Sequence, residues 1–387
     1  MSVINLSDPA TIPSRRTEAW KYSDLRRWLR AEPPLSPTLP EGEPNDGPFK
    51  ALTANELLIA NGRLNWWSED DLSEGIEIRQ HEGPDAPAMA EQMPMGALAA
   101  TKALEGVYII VFKAGGPRTL ALRWLSDAVR TGHHARVGVI VEAGAEATLL
   151  ESHEGWGEAY LANSLIEIRV EEGGRLERVV VVEEPHDAIS VNSAEVYLTP
   201  GAHFSQTTFA TGAQLQRLET RLVHPGEGAE VRMDGVYLLD GTRHADLTSV
   251  VTHGGLNGVT SQLTKGVVRD TARGVFQGKI IVQRGADGTD ARMGHHALIL
   301  SERGEVDAKP ELEIFADDVQ CAHGNSVGAL DERALFYMQQ RGLSEDEARA
   351  LLVQAGAASR SLRPSPPGSA SPVRRRSGTG RGRFCAP

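Results

Sequence analysis

Cysteine is nearly missing from this sequence: the 387 residues hold two, Cys321 and Cys385. That excludes a disulfide framework and points to a reducing setting. No run approaches the roughly 20 apolar residues of a membrane span. The opening "MSVINLSDPATIPSRR" has no apolar core of a secretory signal. The expectation is a soluble, cytoplasmic protein with no membrane partner. A G-x-x-x-x-G-K-[ST] stretch is also missing, which removes the usual phosphate-cradling loop of an ATPase. Aromatic residues make up only 5%. The net charge is −12, yet residues 359–387 carry seven arginines and no acid, leaving about −19 for the rest. A body so acidic is not expected to bind nucleic acid.

Glycine, with 40 residues, and valine are plentiful, a balance that suits a β-rich chain with many turns. The first third is mixed. "SRRTEAWKYSDLRRWLR" reads as a short helix capped by Ser14 or Thr17, with Trp20, Leu25, Trp28 and Leu29 as its apolar stripe. "AEPPLSPTLPEGEPNDGP" reads as a loop. "ALTANELLIANGRLN" is a weaker mixed segment, and "MAEQMPMGALAATKALEG" reads as helical. From Val107 the texture changes to short β-branched or apolar runs such as "VYIIVFKA", "RVGVIVEAG" and "LERVVVVEE", each ended by a turn. Glycine turns at "EAGAEATL", "EEGGRLER", "TPGAHFSQ" and "PGEGAEVR" recur roughly every 27 residues. Even spacing without helical crossovers suits a sandwich, a barrel or stacked β-helix rungs, and periodicity alone leaves these open.

"DERALFYMQQRGLSEDEARALLVQA" is helical, with Leu335, Phe336 and Met338 as its first apolar contacts. A second helix starts at Ser344, which forms a capping-box spacing with Glu347. "GAASRSLRPSPPGSASPVRRRSGTGRGRFCAP" is built largely of Arg, Pro, Ser and Gly and cannot bury a core. It reads either as a flexible basic tail or as an out-of-frame translation of a GC-rich gene. The expected organisation is residues 1–105 helical or mixed with a Pro-rich linker, 106–328 a β core, 329–356 a helical segment, and 357–387 the tail.

"EIFADDVQCAHGNSVG" holds the main chemical candidate. On a strand, Cys321 and His323 point to one face and supply two soft donors for Fe or Zn. Two ligands are too few for a closed site, and the bland alternative is a pair of core residues. His295 and His296 in "ARMGHHALIL" face opposite ways, so one at most joins such a site. Asp317 and Asp318 fit a turn. His244 and His253, flanking "ADLTSVV", read as surface residues, and Gly278 and Gly285 in "QGKIIVQRGA" read as turn glycines.

Three stretches, "RRTEAWKYSDL", "KGVVRDTARGVFQGKIIVQRGADGTDA" and "GEVDAKPELEIFADDVQCAHGNSVGALDERALFYMQQRGLSEDEARALL", resemble the SufB/SufD family of iron–sulfur cluster assembly proteins, nearer its SufD branch. The resemblance implies a mainly β fold: a right-handed parallel β-helix core, a small N-terminal helical domain and a short C-terminal helical segment. It implies a non-catalytic scaffold that pairs with a SufB-like subunit through the last rungs and binds a SufC-like ATPase through its C-terminal helices. It places His323, Cys321 and His295 at the cluster-assembly interface, with His323 and Cys321 as metal donors. It makes Phe336, Tyr337, Arg341 and Leu351 partner-binding residues. No cofactor is held permanently; iron or a nascent cluster passes through at the interface. A homodimer through the same edge is the expectation when partners are absent. The chain departs from the family after Ala355: Gly356, Pro and Arg stand where relatives continue a regular helix. The competing readings are a carbohydrate-active β-helix with paired acids and a metal hydrolase using His295, His296, Cys321 and His323.

Overall fold

The computed structural model describes residues 4–39, 46–66, 72–81 and 92–358. The arginine-rich tail falls almost wholly outside them. From Val107 the chain winds as a parallel β-solenoid of about eight turns. Successive strands alternate between two sheets. The nine-stranded sheet runs β18 (Glu305–Ile314), β16 (Arg273–Val282), β14 (His244–His253), β12 (Leu215–His224), β10 (Ile189–Leu198), β8 (Leu161–Val170), β6 (Gly132–Val141), β4 (Val107–Phe112), β3 (Ile76–His81). The ten-stranded sheet runs β19 (Gln320–Gly328), β17 (Asp290–Ile299), β15 (Val259–Val268), β13 (Glu230–Leu239), β11 (His203–Ala210), β9 (Arg175–Glu183), β7 (Glu146–Gly155), β5 (Arg118–Ser126), β1 (Glu56–Ala60), β2 (Arg63–Trp66).

The recurring glycine is what turns each rung. Gly144, Gly173, Gly201 and Gly228 have φ between 64° and 71°, the left-handed region that costs glycine nothing. Their amides form a ladder up the corner: Gly144 N–H donates to Glu172 O (3.0 Å), Gly173 to Pro200 O (3.2 Å), Gly201 to Glu227 O (2.9 Å) and Gly228 to Leu256 O (2.9 Å). Asn257, a residue tolerant of that region, takes the position in the next rung at φ 57°.

Alternation sends every second residue into the lumen. Near the glycine corner the lumen is apolar: Val139, Val141, Leu149, Ile168, Val196, Leu198, Phe204 and Val231 form one buried cluster. Toward the opposite corner it is polar. Glu151, His153, Arg178 and Gln206 are all buried there and linked by hydrogen bonds.

Two segments differ from expectation. The helix expected over residues 14–30 is two 3-10 turns, Glu18–Trp20 and Leu25–Arg27, separated by extended Asp24. Tertiary contacts override the helical pattern: Trp20 and Leu25 are buried against Leu161, Val191 and Leu215 on the outer face of the nine-stranded sheet. Ser23 Oγ donates to Asp246 at 2.5 Å. "ELLIANGRLN" is a β-hairpin turning on Asn61 (φ 49°) and Gly62 (φ 81°), the Asn-Gly pair that favours such turns. The "PMGALAATK" helix, α1 (Pro94–Lys102), forms as expected. Gly278 lies mid-strand in β16, not in a turn. A Cβ there would come 2.1 Å from Met293 Sδ.

Candidate functional site

The solenoid ends in an open rung. β18 and β19 are the outermost strands of their sheets and pair on one side only, with β16 and β17. Register sets what each presents. Cys321, His323 and Asn325 lie opposite Ala291, Met293 and His295. Ala291, Met293 and His295 are buried in the lumen, so the three β19 residues face the lumen mouth. Across it, Ala308, Pro310 and Leu312 of β18 lie opposite Phe276, Gly278 and Ile280 and are half-exposed. Nothing among the described residues stacks on this rung, and Ile314, Phe315 and Val327 are exposed beside it. An apolar, unpaired sheet end of this kind invites another chain.

Cys321 is half-buried and packs with Phe276, Ile280, Met293 and Leu312. Burial pushes its thiol upward, and the Asp290 charge adds to this, against the lowering effect of an Ala291 backbone contact. The thiol is therefore protonated at neutral pH until a metal or cation draws the proton off. His323 is exposed at the mouth, one lumen position further along the strand. Among the described residues no three His, Cys, Asp or Glu side chains converge as a metal site. This chain thus brings two soft donors to an edge, and the remaining ligands would have to come from outside it.

His295 does not sit at the surface beside them. Its ring is fully buried, stacked on Phe276 (centroids 4.8 Å apart) and Tyr237 (6.0 Å). Both ring nitrogens are engaged: Nε2 lies 3.0 Å from Tyr237 Oη and Nδ1 lies 2.8 Å from Asn325 Oδ1. With Asn325 Oδ1 accepting, Nδ1 carries the proton and Nε2 accepts from the tyrosine. Burial above all pushes this imidazole down to about 4, with Asn325 opposing and His296 reinforcing. His295 is a neutral lumen group that holds Asn325 in place two positions from His323. His296 faces outward and bonds Ser326 Oγ at 2.7 Å.

Asp317 and Asp318 lie in an exposed bend, as a turn requires. His244 and His253 are buried, not on the surface. His244 is held by Ser23 Oγ (3.1 Å) and the edge of Trp28, and His253 by Thr260 Oγ1 (3.0 Å). Sequence reasoning passed over Asn325 and Tyr237. Asn325 shares the period-2 face of Cys321 and His323, which is a readable signal; Tyr237 is two rungs away and has none.

Beyond the rung, α2 (Glu332–Gln340) is capped by Asp331, which accepts from Arg333 N–H at 2.9 Å. α3 (Glu345–Ala358) opens with the expected box: Ser344 N–H donates to Glu347 at 2.9 Å and Glu347 N–H to Ser344 Oγ at 3.3 Å. Leu335 and Ala348 are buried. Phe336 (62% exposed), Tyr337 (58%) and Leu351 (45%) point outward, and the Arg341 guanidinium lies 4.9 Å over the Tyr337 ring. Phe336 is thus largely exposed, where the apolar pattern places it among the first contacts of the helix.

Residues 124–356 match the family described as SUF system FeS cluster assembly, SufBD core domain. The chain is 26% identical over 358 residues to the iron–sulfur cluster assembly protein SufD of Escherichia coli, covering 90% of this chain and 84% of that protein. It is 28% identical over 229 residues to a SufBD family protein of Synechocystis (57% and 51%) and 26% identical over 356 residues to one of Mycobacterium bovis (90% and 84%).

Proposed function

The chain belongs to the SufBD family of SUF-system iron–sulfur cluster assembly proteins and is SufD-like, and from that premise we propose that it is a non-catalytic, cytoplasmic scaffold subunit. It pairs with a SufB-like subunit through the open rung and binds a SufC-like ATPase through α2 and α3. The observation that carries this reading is the rung itself. Apolar Leu312, Pro310 and Ala308 face Cys321 and His323 across an uncovered lumen mouth. A second solenoid end stacked there would extend both sheets and bury that surface. Iron or a nascent cluster is cargo in this scheme. It is held between Cys321, His323 and donors of the partner, which accounts for a site of only two ligands on this chain. Phe336, Tyr337, Arg341 and Leu351 form the ATPase-facing patch.

The test is affinity capture of the tagged chain co-expressed with SufB-like and SufC-like subunits of the same genome. Leu312→Asp places a charge in the mouth and is expected to lose the SufB-like subunit while the monomer stays folded. The pair Phe336→Ala and Leu351→Ala is expected to lose the SufC-like subunit and keep the other. Retention of both subunits by all variants would reject these surfaces.

A further inference from the structure

A cavity of about 430 Å³, within the range of small-molecule sites, lies at the far end of the molecule from the open rung. Glu32, Pro33, Leu35, Lys102, Leu104 and His134 are its principal walls. We propose that it binds a free α-amino acid with an apolar side chain.

The walls are fixed. Gly132 N–H donates to Pro34 O (2.7 Å) and Ser36 N–H to Gly132 O (2.9 Å), tying residues 33–36 to the solenoid edge. A Cβ on Gly132 would lie 2.5 Å from Pro33 Cγ, so only glycine allows this approach. His134 forms the floor. Asn163 Nδ2 donates to Met95 O at 3.0 Å and to His134 Nδ1 at 2.9 Å. The Met95 carbonyl can only accept, so the amide nitrogen is the Asn163 atom there and Nδ1 must accept from it. The ring proton therefore sits on Nε2, which has no acceptor among the described residues. A donor left free at a cavity wall can bind any ligand that brings an acceptor.

The charges define the ligand class. Lys102 and Glu32 form an ion pair at the rim, each side chain about one-third exposed, and Glu32 also accepts from Ser7 Oγ at 3.0 Å. A simple anion would take Lys102 and strand Glu32; a simple cation would do the reverse. A zwitterion exchanges partners with the pair and leaves no charge unmatched. Its carboxylate takes Lys102 and the His134 Nε2 proton, and its ammonium takes Glu32. The C-terminal end of α1, partially negative, favours the ammonium as well. Pro33, Leu35, Ala103 and Leu104 are left for an apolar side chain.

The experiment is saturation-transfer NMR titration of the full chain with L-leucine and with its two half-molecules, isocaproate and isoamylamine. It needs no partner subunit and is independent of the assembly role. The expected result is saturable L-leucine binding with Kd about 1 mM or tighter. Both half-molecules, and L-leucine with either Glu32→Gln or Lys102→Met, should bind at least about tenfold more weakly, with circular dichroism confirming that the variants fold. Failure to bind L-leucine, half-molecules as tight as the whole, or variants with wild-type affinity would each overturn the assignment.

Discussion

The most demanding feature of the lumen is a buried ion pair, and removing one half of it should be costly. Glu151 is 1% exposed. Arg178 donates to its Oε2 through Nε (2.8 Å) and Nη2 (2.7 Å), and His153 Nε2 and Trp124 Nε1 lie 2.8 and 3.2 Å from its Oε1. Burial pushes this carboxyl up, but the Arg178 guanidinium and His153 outweigh it and hold the group at about 2, against an ordinary 4.5. A depressed carboxyl contributes stability that is present above pH 4.5 and lost as pH falls toward 2. The difference corresponds to about 3 kcal/mol. In Arg178→Met the carboxylate stays buried without its partner, a loss of about 3–5 kcal/mol. Burial then dominates, so the deficit should shrink as pH falls from 7 to 5, because a proton on Glu151 removes the unpaired buried charge. Arg178→Met with Glu151→Gln removes both charges and should regain most of the loss at pH 7. Urea unfolding of the wild type, the single and the double variant at pH 7 and 5 measures this. A single variant within about 1 kcal/mol of wild type at pH 7, or a double variant no better than the single, would show that the Glu151 carboxylate does not depend on Arg178.

Burial holds six imidazoles well below the ordinary histidine range: His133 and His253 at about 3, and His134, His224, His244 and His295 at about 4. Their stability is complete above pH 6.5 and lost on acidification, by up to about 8 kcal/mol per pH unit if all six act together. Acid unfolding followed by circular dichroism should be steep and finish above pH 4; a chain still folded at pH 3 would contradict this. Gly278→Val forces a side chain against Met293 and Phe276 and should cost about 1–3 kcal/mol, read as a lower Tm. Phe336→Ala and Tyr337→Ala, at exposed sites, should change stability by less than about 0.5 kcal/mol in the same assay.

Which of these features a reader of the sequence meets depends on how local they are. The glycine corners and the Ser344–Glu347 box are contained within a few residues and stand out directly. The Asn61–Gly62 hairpin was equally local, yet it was masked by the apolar run around it. The lumen network was not legible. "LLESHEG" reads as a strand ending in a polar turn, yet alternation carries Glu151 and His153 inward, and Arg178, which makes that tolerable, lies one rung later. His295 shows the same difficulty. Its neighbours Tyr237, Phe276 and Asn325 come from three other strands, so only the register reveals that both its nitrogens are occupied. The N-terminal segment kept its apolar residues but not its helix, because Trp20 and Leu25 serve the sheet surface and not a shared helical stripe. Cys321 and His323 were placed on one face by strand periodicity alone; that this face is the open mouth of the solenoid depends on where the last rung falls.

The proposed assembly requires that the open rung be completed by another solenoid. The most direct test is the mass, by light scattering, of the material purified after co-expression of this chain with SufB-like and SufC-like subunits. The expected result is a single species containing this chain, one SufB-like subunit and the ATPase, and a Leu312→Asp sample from which the SufB-like subunit is missing. Separate species, each with the mass of its own chain or of a homodimer of this one, would contradict it.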